Sequence, residues 1–143
     1  MPSATVRIEG ADELRRALRY VGDAGLKKQL AKANKDAAAL VVNRALPNVP
    51  VRSGRLKKSV RALGSQRSGR AVAGASQVKY AAAIHWGRRR GNVGSPPGNR
   101  NGTNVIAGRP FLYDAARAHR AQVVDQYEEA VRALVADLRR RVR

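Results

Sequence analysis

Apolar side chains recur at helical spacing along two stretches of the chain. In the first, between positions 24 and 45, one stripe is formed by Leu26, Leu30, Ala33, Ala37, Leu40 and Val41. Residues three or four apart share one face of an α-helix, so this spacing predicts a long helix over 24–45. Pro47 and Pro50 follow it, and we expect them to end the helix because proline lacks the backbone N–H that another turn requires.

A second long helix is predicted near the C-terminus. Pro110 is well placed to begin it, since proline is tolerated in the first helical turn. The apolar positions that keep helical spacing along it are Val123, Tyr127, Val131, Leu134 and Leu138. Glu128 and Arg132 lie one turn apart on its polar side, where an acid followed four residues later by a base is favourable.

The N-terminal region predicts two shorter elements. Residues 5–9 alternate in character and are interpreted as a short strand. A short helix is expected over 12–21, because Asp12 and Glu13 suit the positive end of its dipole and Gly22 suits its end.

The middle of the chain predicts β-structure. Residues 56–63 are interpreted as a strand, and residues 70–76 would pair back with it as a hairpin across a turn at 65–69. The apolar segment 80–86 fits either a strand or one to two turns of helix. At 143 residues, the whole chain is expected to fold as one domain.

Residues 87–108 form a long loop in this interpretation. The segment is rich in Gly, Asn and Arg, and it includes the run Arg88, Arg89 and Arg90 as well as Arg100. Such a composition cannot bury a core, and a loop of this length in a compact domain is usually functional or mobile.

The charge of the chain is distributed unevenly. The formal net charge is +19, yet no acidic residue occurs between Asp36 and Asp114, a stretch that contains 14 Lys and Arg. All ten carboxylates lie in the two flanking segments. Either the flanks fold back to neutralise the middle, or the middle meets an external polyanion or an acidic protein surface.

Motifs for catalysis or for metal binding are missing. The chain has no cysteine and no HExxH, GxSxG or phosphate-loop motif, and its carboxylates suit solvated helix faces. His85, beside Trp86, is interpreted as a packing or interface residue rather than a general base. We therefore expect no enzyme, no cofactor and no metal site.

The longest apolar run, 37–42, is far too short to span a bilayer, and the start lacks a secretory signal, so an intracellular product without membrane contact is expected.

Non-specific nucleic-acid binding is the alternative that the basic middle supports. Lys and Arg side chains release counterions from a phosphate backbone and give a strongly salt-dependent affinity. No helix-turn-helix, zinc finger or aromatic ribonucleoprotein motif is present to read a base sequence.

Three short segments carry more specific information. The first contains Pro50, Val51, Ser53, Gly54, Leu56 and Ser59; the second Tyr80, Ala81, Ile84, Trp86 and Gly87; the third Arg109, Pro110, Phe111, Leu112 and Ala115. Together with the helices, in this order, they resemble the neck, or tail-completion, proteins of long-tailed bacteriophages. The chain departs from that pattern at His85, where an acid is common, and at Asp114, where proline is usual.

The resemblance implies a fold and an assembly. The fold would be α+β, with an antiparallel sheet packed against a long N-terminal and a long C-terminal helix. The protein would be a structural virion component that is assembled in the host cytoplasm. It would form a homo-oligomeric, hexameric ring at the head–tail junction, between the head connector and the tail terminator or tube, with genomic DNA in its lumen.

Two groups of residues are expected to make these contacts because of their own chemistry. The loop over 87–108 is longer and more basic than the family pattern, so its role is not carried over from the resemblance. Subunit or ring packing is expected for Tyr80, Trp86, Phe111 and Tyr113, although Phe111 also suits the subunit core. Contact with a neighbouring ring or with DNA is expected for Arg88, Arg89, Arg90 and Arg100.

Overall fold

The computed structural model describes residues 2–6, 24–89 and 105–141, together with positions 16, 19 and 22. The helices are α1 (Ala24–Ala45), α2 (Arg55–Ser59), α3 (Ala81–Trp86), α4 (Phe111–Ala118) and α5 (Arg120–Arg141), with a 3₁₀ turn at Leu46–Asn48. The strands are β1 (Ser3–Val6), β2 (Arg61–Gly64), β3 (Gly69–Val72), β4 (Arg88–Arg89) and β5 (Val105–Ile106).

Helix α1 is the central element, and it confirms the helix predicted over 24–45. Its stripe is buried as expected, with Leu26, Leu30 and Val41 at most 1% exposed and Leu40 partly buried against the same core. The 3₁₀ turn that contains Pro47 ends the helix, as the prolines predict. Most of the short helix predicted over 12–21 lies outside the described residues; Arg16 and Arg19 are helical, and Gly22 has a positive φ of 69°.

A three-stranded antiparallel sheet packs against α1, in the order β1–β3–β2. β2 and β3 form the predicted hairpin, in which Gly64 pairs with Gly69. A Cβ atom on Gly64 would lie 2.5 Å from the Ala31 carbonyl oxygen, and one on Gly69 would collide with the Asn34 carbonyl oxygen. This pair of glycines therefore allows the hairpin backbone to lie directly against the α1 backbone, where Asn34 Nδ2 donates to the Ser65 carbonyl at 2.7 Å.

The strand predicted over 56–63 is wrong in its first half, because residues 55–59 form the short helix α2. Gly54 precedes α2 with a left-handed φ of 75°, and its carbonyl accepts the Lys58 N–H at 3.0 Å. The Ser59 hydroxyl donates to the Leu56 carbonyl at 2.6 Å and accepts the Gly74 N–H at 2.9 Å. The contact with Gly74 joins two residues that are 15 positions apart, and it holds the chain at the point where α2 ends and β2 begins.

The predicted C-terminal helix is divided in two at His119. Residue Pro110 precedes α4 as expected, but His119 leaves the helical region with φ −112° and ψ 21°. Helix α5 runs antiparallel to α1, since Gln29 donates to Asp137 at one end and Arg44 donates to Gln122 at the other. The predicted apolar positions face the core: Val123, Tyr127 and Leu134 are buried, and Val131 and Leu138 are partly buried. The fold is α+β, as predicted, with the sheet and α5 packed against α1.

Candidate interaction surface

The first of the three sequence segments forms a corner between α1 and the sheet. Val49 and Leu56 are buried and anchor it, whereas Val51 between them is 64% exposed. Arg61 Nη1 ties the corner to the end of β3 by donating to the Gly74 carbonyl at 2.9 Å. The turn residues of this segment therefore have a structural role, and its exposed side chains are presented on a fixed backbone.

The second and third segments are joined into one unit, which we call the α3–α4 clamp (residues 84–87 and 108–111). The Ile84 carbonyl accepts the Arg109 N–H at 2.8 Å. Gly108 lies so close to Trp86 that an added Cβ would be 2.7 Å from the Trp86 carbonyl carbon. The His85 and Phe111 rings meet edge to face with centroids 5.0 Å apart. These contacts fix the end of α3 against the start of α4.

The aromatic residues expected at an interface divide into two groups. Tyr80, Trp86 and Tyr113 are 42%, 58% and 52% exposed, although each stands on or next to a helix that contributes to the core. Phe111 is only 2% exposed and packs inside the subunit, which agrees with the core alternative given for it. Three large aromatic side chains on or beside the clamp are thus available for contact with another molecule.

The long basic loop emerges next to the clamp. Near the two ends of the predicted loop, the backbone forms a two-residue antiparallel ladder, in which Arg88 pairs with Ile106 and Arg89 with Val105. Residues 88–89 and 105–106, which were predicted as loop, are therefore paired as the strands β4 and β5. Arg90 and Arg100 lie outside the described residues.

The acid-free middle is not neutralised within the part of the chain that the structure describes. Its exposed cations whose side chains make no hydrogen bond or ion pair to a described residue include Arg52, Arg55, Lys57, Lys58, Arg67 and Lys79. The described carboxylates that form ion pairs do so within α5, where Arg132 approaches Glu128 at 3.5 Å and Arg141 approaches Asp137 at 3.0 Å. Glu9, Asp12, Glu13 and Asp23 of the N-terminal flank lie outside the described residues, so both alternatives from the sequence stay predictions.

His85 is the least expected side chain of the clamp. It is 1% exposed, and neither ring nitrogen has a hydrogen-bond partner among the described residues. Its ring also contacts Trp86, with centroids 4.3 Å apart. Burial lowers the pKa of His85 from its ordinary value, and the nearby Asp114 carboxylate partly opposes that shift. The imidazole is therefore neutral at pH 7 and acts as a packing residue, as the sequence indicates.

This burial predicts acid sensitivity. The unfolded chain protonates His85 near pH 6.5, whereas the folded chain resists protonation, so the free energy of unfolding should fall as the pH drops below about 6.5. For one proton the slope is at most about 1.4 kcal/mol per pH unit. Urea unfolding between about pH 7.5 and 5.5, roughly one unit on either side of the ordinary histidine pKa, would measure this slope.

The variant His85→Phe should lose that part of the pH dependence, since the ring remains and the titrating group is gone. His119→Gln is the matched control because it removes the other histidine and retains His85. An unchanged pH profile in His85→Phe would contradict the assignment.

Two features of this surface had only a weak signal in the sequence. The burial of His85 depends on Phe111, which is distant in the chain, and no local pattern indicates it. Leu63 is 43% exposed on β2 because its face of the hairpin points away from α1.

Among the described residues, no three His, Cys, Asp or Glu side chains are grouped as a metal site would need, and no helix is long and apolar enough to cross a membrane.

Comparison with known proteins gives one family. A family model described as "Bacteriophage HK97-gp10, putative tail-component" matches residues 12–95. The match includes α1, the corner, the hairpin and α3. No curated protein and no solved structure matches the chain.

Proposed function

The chain belongs to the bacteriophage HK97-gp10-like family, and we propose that it is a structural protein of the virion neck, forming a ring at the head–tail junction. There it completes the tail and helps to join it to the head. Its work is binding and ring closure, so it is not an enzyme and uses no cofactor. The observation that carries this proposal, beside the family, is the exposure of Tyr80, Trp86 and Tyr113 on or beside helices α3 and α4.

Exposed aromatic residues on a rigid support suit a subunit interface. Tyr80, Trp86 and Tyr113 each leave more than 40% of their surface in solvent. Trp and Tyr are enriched among the residues that contribute most to binding energy, and they lose little conformational entropy when they are already fixed. In a closed ring each subunit repeats one contact between two different surfaces. We propose six copies, with these aromatics in the repeated contact.

The proposed ring has partners above, below and within it. The head connector lies on one side and the tail terminator or tube on the other, with the genome passing through the lumen. The basic loop with Arg88, Arg89, Arg90 and Arg100 is proposed to contact a neighbouring ring or the DNA. Several cations on the corner, whose side chains have no described acidic partner, would also suit an acidic face of such a neighbour.

The ring predicts that loss of an aromatic side chain weakens self-association. Trp86→Ala and Tyr113→Ala should each raise the dissociation constant by at least about tenfold, the effect of losing an interface hot spot. Sedimentation velocity over a concentration series measures the change, and electron microscopy of the same samples shows whether rings form.

Leu63→Ala is the matched control, since it removes an exposed apolar side chain from the sheet rather than from the clamp. Unchanged association of both aromatic variants would exclude the proposed interface. A wild-type protein that remains monomeric at all concentrations, both alone and with its neck partners, would exclude the ring itself.

The alternative, a free-standing non-specific nucleic-acid-binding protein, is favoured only by the cations of the middle segment. It predicts that the monomer binds duplex DNA tightly at moderate salt, with affinity falling steeply as salt is added. The ring predicts weak DNA binding by the isolated subunit. A titration of the purified monomer with duplex DNA at several salt concentrations separates the two functions.

A further inference from the structure

The strand β2 has an unpaired edge. It lies at one side of the sheet, with β3 as its only neighbour among the described strands. The Ser65 N–H donates to the Ser68 carbonyl at 2.9 Å and closes the hairpin as a hydrogen-bonded pair. In an antiparallel ladder such pairs alternate, so Leu63 and Arg61 bond to β3. The N–H and C=O groups of Ala62 and Gly64 therefore point outwards, and no described residue pairs with them.

The side chains around this edge are basic and partly apolar. Arg61 lies on the strand, Arg67 lies in the hairpin turn, and Lys35 of α1 lies beside Gly64; all three are exposed. Leu63 presents 43% of its surface on the sheet face away from α1. Like charges on a free edge prevent two copies of the same chain from adding to each other there. They attract a strand that carries carboxylates instead.

The backbone of the edge distinguishes a peptide from a nucleic acid. Alternating N–H and C=O groups need a partner that both accepts and donates, which another peptide backbone does. Unesterified phosphate oxygens of DNA only accept, so they would leave the Ala62 and Gly64 carbonyls unpaired. An extended peptide also offers an apolar side chain at alternate positions, where Leu63 can contact it.

We propose that the β2 edge binds an extended acidic segment of another protein, which adds as a fourth strand to the sheet. The segment has Asp or Glu next to the cations and an apolar residue against Leu63. The proposal depends on the proposed function only for the identity of this partner, a neighbouring virion protein. The hydrogen bonds and charges of the edge do not depend on it.

A synthetic octapeptide of alternating Glu and Val, with blocked ends, is a direct probe. Titration into the isotope-labelled protein, followed by amide NMR, should shift the Ala62 and Gly64 signals and slow their hydrogen exchange. The same peptide with Lys in place of Glu is the control and should not bind. No shift at Ala62 and Gly64 with the Glu peptide at about millimolar concentration overturns the proposal.

Two variants test the backbone groups and the cations of the edge separately. Ala62→Pro removes an outward N–H and no hairpin hydrogen bond, so it should retain the fold and weaken binding of the Glu peptide at least about tenfold. Lys35→Glu with Arg67→Glu should weaken the Glu peptide to a similar degree and allow the Lys peptide to bind. If Ala62→Pro does not fold, the charge variant alone decides.

Other occupants give different results, and each would overturn the proposal. Duplex DNA that displaces the Glu peptide and shifts the same two amides would make the edge part of a nucleic-acid site. Self-association that Ala62→Pro abolishes would make a second copy the occupant. Ring assembly that depends on Trp86 and persists in Ala62→Pro supports the separation of this edge from the proposed subunit interface.

Discussion

Leu30→Asp is expected to abolish cooperative folding. Leu30 lies at the centre of the α1 stripe and is 1% exposed. Replacing it removes a buried leucine, which costs roughly 2–5 kcal/mol, and places an unpaired carboxylate in the core, which costs several kcal/mol more. The sum is on the order of the whole stability of a small domain. Circular dichroism and thermal unfolding would show loss of the native transition.

Lys32→Asp is the control for this experiment. It introduces the same residue into the same helix at an exposed position, where the carboxylate remains hydrated. Its free energy of unfolding should lie within about 0.5 kcal/mol of the parent value. A Leu30→Asp protein that melts like the parent would mean that the assigned buried face of α1 is wrong.

Gly69→Val has the second largest expected effect. The new Cβ would collide with the Asn34 carbonyl oxygen and lie 2.9 Å from the Asn34 carbonyl carbon. Both atoms belong to the helix backbone and cannot move as a side chain can. The hairpin would have to separate from α1 and lose the hydrogen bond between Asn34 and Ser65. We expect a loss of about 3 kcal/mol or more, at the upper end for overpacked cores.

Arg70→Val is the matched control for Gly69→Val. It places the same β-branched residue one position further along β3, on the opposite face of the sheet, where the native side chain is exposed. Its free energy of unfolding should change by no more than about 1 kcal/mol. Urea unfolding of the two variants side by side gives the difference. Equal stabilities would mean that the hairpin does not rest on α1 through its glycines.

The sequence was sufficient where a structural element depends on its own residues. The stripe from Leu26 to Val41 gave α1 with its observed bounds, and the turn at 65–69 gave the hairpin. In both cases periodicity and turn chemistry agree with the final packing. The family resemblance added the α+β fold and the association with phage tails, and the matching family model confirms both the family and its connection to tails.

The sequence was insufficient where a contact distant in the chain decides the outcome. Residues 56–59 fit a strand locally, but Ser59 and the preceding left-handed Gly54 make them helical. An aromatic residue at a helix start suits a core and an interface equally well, and Phe111 lies inside because it packs in the hydrophobic cluster and against the His85 ring. The break at His119 has no local signal either. It allows α4 to pack on α1 and β1 while α5 packs mainly along α1.

The ladder between β4 and β5 also has a consequence for protein engineering. Arg88 and Arg89 hold one end of the intervening segment beside Val105 and Ile106, which hold the other. The backbones of residues 89 and 105 are therefore held side by side. A pair of spectroscopic labels at positions 89 and 105 would therefore report whether the ladder stays closed when the subunit enters an assembled particle.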